Sequence, residues 1–170
     1  MAEGSPNLRF REVQKFRQWW IWLVVYGIVA LMWWGFVEQI ILGRPWGTKP
    51  APDWMLWLTW LLFGIGFPIF FHRVRLIVEV DDQGVRVRYP PFTTRQFDFA
   101  DIEHIEARSY KPVKEYGGWG IKGWSLNRIA YNVSGRQGVD LTLRDGRQVM
   151  LGSQKPAELA AAIAAGLGQS

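Results

Sequence analysis

Two long stretches without a charged residue, Trp19 to Val37 and Trp54 to Phe71, constrain this chain more than any other feature. Their nineteen and eighteen residues, at a helical rise of about 1.5 Å each, would cover about 28 Å, close to the ~30 Å hydrocarbon thickness of a bilayer. The expectation is a transmembrane hairpin. Of 20 Lys and Arg and 15 Asp and Glu, only Glu38, Arg44, Lys49 and Asp53 fall between residues 19 and 71. A mean hydropathy of −0.04 conceals this segregation. Nine of the eleven tryptophans lie between Trp19 and Trp60, and amphipathic indoles favour the headgroup level. The competing reading is two buried helices of a soluble core. A chain of 170 residues rarely hides two helices that are apolar all round.

Arg9, Arg11, Lys15 and Arg17 precede the first stretch, as in a secretory signal. The apolar run is too long for one, and it ends in Trp33, Trp34, Gly35, Phe36, Val37, Glu38 with no small-residue cleavage site. Two crossings put both ends of the chain on one side. Basic residues before the first span, and Arg73, Arg75, Arg86 and Arg88 after the second, outnumber Arg44 and Lys49 between them, which places the termini in the cytoplasm. The expected layout is a basic cytoplasmic N-terminal arm at 1–18, a transmembrane hairpin at 19–71 and a cytoplasmic domain at 72–170. The spans cover about 19–41 and 54–71, joined by a loop at 43–53 rich in proline (Pro45, Pro50, Pro52). Asp53 suits the N-cap of the second helix. Gly64, Gly66 and Pro68 can bend that helix, although Pro68 reads better as ending it at a domain junction. Glu38 is expected at the far interface rather than as an intramembrane carboxylate.

From Arg73 the pattern changes to a period of two, the mark of half-buried strands. Val74, Leu76, Val78 and Val80 alternate with Arg73, Arg75 and Glu79, and after the turn Asp81 to Gly84, Val85, Val87 and Tyr89 alternate with Arg86 and Arg88. Pro90 and Pro91 stop that strand. Further strands are expected at Thr94 to Asp98, His104 to Ser109, Asn127 to Val133, Gly138 to Leu143 and Gln148 to Gly152, about seven in all. Pro156 to Leu167 reads as an amphipathic helix with Leu159, Ile163 and Leu167 on one stripe, Pro156 in its first turn and Glu158 near its positive end. Such a helix can cover the open end of a small sandwich.

Tyr110 to Gly123 (YKPVKEYGGWGIKG), Arg128 to Gly135 (RIAYNVSG), Arg144 to Arg147 (RDGR) and Leu151 to Leu159 (LGSQKPAEL) carry a family likeness. With the strand pattern, they resemble uncharacterised bacterial membrane proteins that place a pleckstrin-homology-like domain behind two transmembrane helices. The resemblance covers the C-terminal hundred or so residues. It implies a seven-stranded antiparallel sandwich or barrel with a C-terminal helix, set at the bacterial inner membrane, and carries over no catalytic residue.

Gly118, Gly120 and Gly123 satisfy G-x-G-x-x-G, but a dinucleotide site needs those glycines to join a strand to a helix. Here a strand-like run follows. What remains is a long exposed loop, Lys111 to Trp124, carrying Lys111, Lys114, Trp119, Lys122 and Trp124, suited to a membrane surface or a partner; the plainer reading is a connection whose tryptophans cover one end of the sandwich. The second candidate contact surface is Arg73, Arg75, Arg86 and Arg88, sharing one strand face near the membrane. Each cation there would contribute about 1 kcal/mol toward anionic headgroups. The plainer reading is a solvated face with Glu79 paired across to Arg86.

The chain has no cysteine, so thiol and disulfide chemistry are excluded. His72 and His104 stand apart, with no second ligand at metal-binding spacing. No cofactor, metal or catalytic constellation is expected. The sequon Asn132, Val133, Ser134 would go unused in a cytoplasmic domain. The net charge of +5 does not argue for nucleic acid, because residues 72–170 carry fourteen basic and eleven acidic groups. The expected partners are the lipid bilayer, anionic headgroups or another membrane protein. The expected role is a membrane-tethered binding or assembly module that is not an enzyme; the alternative is an accessory subunit of a transporter or enzyme complex.

Overall fold

The apolar stretches form two helical arms. The computed structural model describes residues 7–125 and 127–168, apart from the side chains of Trp124 and Ser125. It divides into a helical unit, Phe16–Val74, and a β-rich unit that joins Met1–Lys15 to Arg75–Ser170. The first arm is α1 (Trp19–Phe36), which continues through wider π-helical turns at Val37–Ile41. The second is α2 (Asp53–Thr59), a π-helical segment at Trp60–Gly66, and α3 (Phe67–Arg73).

The arms run antiparallel. Near the loop, the Phe36 ring stacks on Trp60 at 4.4 Å and meets the edge of Trp57 at 4.7 Å. At the other end Tyr26 Oη and His72 Nε2 are 3.0 Å apart, and the Trp22 ring lies 4.5 Å from that of His72. Pro68, four residues after Gly64, has no N–H to offer its carbonyl, and Gly64 O accepts a hydrogen bond from Trp33 Nε1 at 3.3 Å. A side chain at Gly64 would press on Trp60, so glycine is what lets the indoles approach. The π-helical segment marks the irregularity in this arm, and Pro68 lies in the first turn of α3 rather than ending the helix, which runs on to Arg73. Pro52 occupies the N-cap expected of Asp53. Asp53 Oδ1 instead accepts from Gln39 Nε2 at 2.8 Å, tying the arms together beside the loop.

The β-rich unit begins earlier than the sequence suggests. Phe10–Lys15, expected as part of a basic arm, is strand β1. It pairs antiparallel with β2 (Arg75–Val80), from Phe10 opposite Val80 to Lys15 opposite Arg75. The helical unit therefore occupies the place of the β1–β2 turn. The boundary lies between Val74 and Arg75, three residues beyond the one expected, and Arg73 closes α3 instead of opening a strand. β3 (Gly84–Tyr89) and β4 (Thr93–Asp98) complete a four-stranded meander.

The second sheet has the order β5-β8-β9-β7-β6, from β5 (Ile102–Ser109), β6 (Gly120–Ser125), β7 (Arg128–Asn132), β8 (Gln137–Leu143) and β9 (Gln148–Gly152). β7 and β9 run parallel. Among the described residues there are thus nine strands, and the expected seven-stranded, wholly antiparallel arrangement is corrected in both respects. β1 was hidden by its inverted pattern, and β6 by its glycines. β5, β8 and β9 form an antiparallel meander interrupted by the β6–β7 hairpin.

Buried faces of both sheets supply the core: Leu76, Val78, Val85 and Val87 from the first, and Val139, Leu141, Val149 and Leu151 from the second. The final helix, α5 (Pro156–Leu167), falls where the apolar stripe places it and touches β1, β2 and β3 of one sheet and β5 and β8 of the other. Leu159 and Ile163 are fully buried, each worth about 1.5–3 kcal/mol in removed apolar surface.

β1 turns Phe10, Glu12 and Gln14 inward and leaves Val13 outside. The Glu12 carboxylate and the Gln14 amide N–H find partners where β9 ends, while Gln14 Oε1 is buried without one. Glu12 accepts from Ser153 Oγ at 2.5 Å and from Gln154 N at 2.8 Å, and Gln14 Nε2 donates to Gly152 O at 2.6 Å. Glu12→Ala leaves two donors unpaired and should lower the stability of this unit by about 1–3 kcal/mol. Denaturant unfolding of the full chain, followed by circular dichroism, checks this, and Val13→Thr on the exposed side should leave the midpoint unchanged.

Candidate functional site

The expected loop Lys111 to Trp124 is largely structured. It contains the short helix α4 (Pro112–Tyr116) and the first five residues of β6. Pro112 starts the helical turn, and Gly117, at φ +76°, ends it in the left-handed region open to glycine. Gly118, Gly120 and Gly123 lead into the β6–β7 hairpin, so the glycine motif meets no helix N-terminus. Asn132 of the sequon is fully buried, and its Oδ1 accepts from Gly120 N at 2.9 Å, which leaves no room for a glycan.

α4 is held on the second sheet by an ionic network centred on Arg108. Its Nε and Nη2 donate to Asp140 Oδ2 at 3.0 and 2.8 Å, and its Nη1 donates to Glu115 Oε2 at 3.0 Å. Arg128 Nη2 lies 3.6 Å from the same Glu115 oxygen, and its guanidinium sits 5.2 Å from the centre of the Tyr116 ring. Beneath lie Tyr110, Tyr116, Ala130 and Met150, a small buried cluster. Burial pushes the Tyr110 hydroxyl up to about 12, although the neighbouring Asn132 and Arg108 draw it down. Burial also opposes ionisation of Glu115, but the Lys111 amide and the Arg108 guanidinium outweigh it and hold that carboxyl below its ordinary value.

With α4 fixed, Lys111, Lys114, Val113 and Trp119 gather with Arg136 around a recess of about 240 Å³. Trp119 is half-buried, its indole N–H donating to Gly135 O at 3.3 Å, while Val113 is 61 % exposed. On the other side of Lys111 and Arg136 opens a wider cleft of about 780 Å³ that reaches Ser109, Glu115, Ser153 and Gln154. Three of the sequence candidates therefore share one surface, with no acid on the recess itself. Sequence reasoning missed Arg136, whose position beside Lys111 follows from the backbone hydrogen bond of Tyr110 N to Arg136 O at 2.8 Å. Lys122 does not join this group; it borders a separate cleft with β4 and β7. The side chain of Trp124 lies outside the described residues.

The arginine candidates separate. Arg73 belongs to α3 in the helical unit, while Arg75, Arg86 and Arg88 occupy the outward face of β2 and β3. Glu79 stands opposite Arg86 in register, as expected, but its carboxylate binds Arg88 Nη2 at 2.7 Å and Arg11 Nε at 3.2 Å. Arg86 turns to Gln96 and lies 3.7 Å from Asp81. Arg86 and Arg88 are thus engaged within the sheet, and the missed strand β1 supplies the third member of the Glu79 cluster.

The depressed Glu115 carboxyl carries a sign. Its contribution to stability is present above the ordinary value of 4.5 and is lost as pH falls through the lower folded value. Glu115→Gln should therefore lower stability at neutral pH and flatten its decline below pH 4.5. Denaturation midpoints of the wild type and the variant across that window read the difference.

No curated protein and no solved structure matches the chain. A family model described as a family of unknown function matches residues 1–169, and the chain belongs to that family, DUF6141.

Proposed function

We propose that this is an integral membrane protein whose two helical arms cross a bilayer and whose β-rich unit is a pleckstrin-homology-like binding or assembly module facing the cytoplasm. The observation that carries the reading is the exposure of the arms. They are 23 and 21 residues long and apolar, yet only 17 % and 11 % of their most apolar windows are buried within the protein. Core helices of a soluble protein would bury most of that surface; lipid is the solvent that suits it. The register of Lys15 with Arg75 supports the topology, because a chain that leaves and re-enters one ladder at partnered residues must return to the side it left. A bacterial inner membrane with cytoplasmic termini then follows from the basic flanks and the family resemblance.

Support for the pleckstrin-homology-like reading comes from topology. Setting aside the β6–β7 hairpin leaves a four-stranded meander, the three-stranded meander β5-β8-β9 and a C-terminal helix. The hairpin and its parallel pairing with β9 are an addition to that plan.

The contact surface is Lys111, Lys114, Trp119 and Arg136, with anionic headgroups as the partner that suits its charge. No step of this reading needs a cofactor, nucleic acid or catalysis. The alternative is an accessory subunit. It draws on the Trp- and Phe-rich outer faces of the arms, which suit other spans as well as lipid.

The protein should remain in the membrane fraction after alkaline carbonate washing; release into the supernatant would overturn the reading. Held in zwitterionic nanodiscs, it should co-sediment with added anionic vesicles at low salt. Neutralising Lys111, Lys114 and Arg136 to glutamine should weaken that binding by roughly fivefold per residue, at about 1 kcal/mol for each cation. A stoichiometric membrane partner retained through gentle-detergent purification would favour the accessory role.

A further inference from the structure

We infer that the cleft between β4 and the β6–β7 hairpin binds a small amphipathic oxyanion, a phosphate or carboxylate group carried on an apolar body. The cleft measures about 480 Å³, within the ~300–1,000 Å³ range of small-molecule sites. It is separate from the Lys111–Arg136 surface and does not depend on whether the helical arms cross a bilayer.

The inference starts from a residue that breaks the pattern of its strand. On β4, the side opposite Val85 and Val87 of β3 is the core side. Phe97 on that side is buried, but Arg95, two residues earlier, brings a guanidinium to the same side at the mouth of the cleft. Across from it stands Tyr131 of β7, only 3 % exposed. Burial raises the Tyr131 phenol, while the positive charges of Arg95 and Arg147 draw it back down. Two guanidiniums from different elements thus act on one buried hydroxyl. The phenol shares the lining with both guanidiniums, and its O–H can donate to a ligand held there.

The rest of the lining divides in the same way. Phe97, Ile121, Ile129, Leu143 and Val149 form an apolar wall, and Arg95 and Arg147 stand where an anionic head would meet water. Asp101 is the acid on the lining, and Asp145 pairs with Arg147 Nε at 2.6 Å from an exposed turn. Arg95 makes no ion pair with a carboxylate among the described residues. A planar guanidinium presents two parallel donors to a phosphate or carboxylate, and the neighbouring phenol adds a third. The apolar wall gives a bound body the burial that a bare ion cannot use. An inward-pointing charge on an edge strand can also serve to discourage strand pairing between molecules. That role would require neither Tyr131 nor the second guanidinium.

Phenyl phosphate, inorganic phosphate and phenol are suitable probes, titrated calorimetrically into the full chain in zwitterionic nanodiscs, with empty nanodiscs as the blank. Phenyl phosphate should bind saturably and at least tenfold more tightly than either inorganic phosphate or phenol. Arg95→Gln should weaken phenyl phosphate at least tenfold, and Tyr131→Phe, which keeps the packing, should weaken it severalfold. Arg95→Lys should fall between Arg95→Gln and wild type, because it restores charge without the planar fork. Equal binding by wild type and Arg95→Gln, absence of saturable binding, or inorganic phosphate matching phenyl phosphate would overturn the inference. Self-association of Arg95→Gln without any change in anion binding would assign Arg95 to edge protection instead.

Discussion

The pairing of β1 with β2 is the constraint on which the rest of this protein depends. Lys15 and Arg75 are partners at one end of that ladder, and between them runs the whole helical unit. A β1–β2 connection is ordinarily a few residues; here it is two long apolar arms. Because the ladder pairs the residues on either side of the helical unit, the chain leaves the β-rich unit and returns to it at one place. The arms reinforce this among themselves through the Phe36, Trp57 and Trp60 rings at the loop end and the Trp22, Tyr26 and His72 cluster at the other.

β1 is held by more than its ladder. Its inward side chains are mostly polar, and Glu12 and Gln14 bond to the chain just where β9 ends. That couples the first strand of one sheet to the last strand of the other, a contact between residues more than a hundred positions apart. Buried polar groups of this kind add little when satisfied and cost much when broken. Their physical consequence is specificity: they fix which strand lies against the end of β9. The Arg108 network does similar work on the opposite face, fixing α4 so that Lys111, Lys114 and Trp119 meet Arg136.

Much of this was legible in the residues. Uncharged runs of helical length marked the arms, period-two alternation marked β2, β3 and most later strands, and Leu159 and Ile163 marked α5. The failures have local causes. β1 carries polar residues at its inward positions and Val13 outside, so the alternation that identifies a half-buried strand is reversed. β6 begins with glycine and lies in a stretch whose composition reads as loop. Asp53 failed as a cap because Pro52 took that position. Arg88 rather than Arg86 holds Glu79, since a diagonal side chain reaches across the ladder as readily as the directly opposed one.

The sequence by itself determined the segregation of charge, the length of the two arms, the identity of most strands and the stripe of the final helix, because each follows from side chains close together along the chain. Only the tertiary structure decided that residues 10–15 belong to the sheet, that β7 runs parallel to β9, and that Arg95, Tyr131 and Arg147 converge on one cleft. Those are pairings between distant segments. Their free energy comes from shared ladders, ion pairs and burial that arise only once the segments meet, so no local pattern records them.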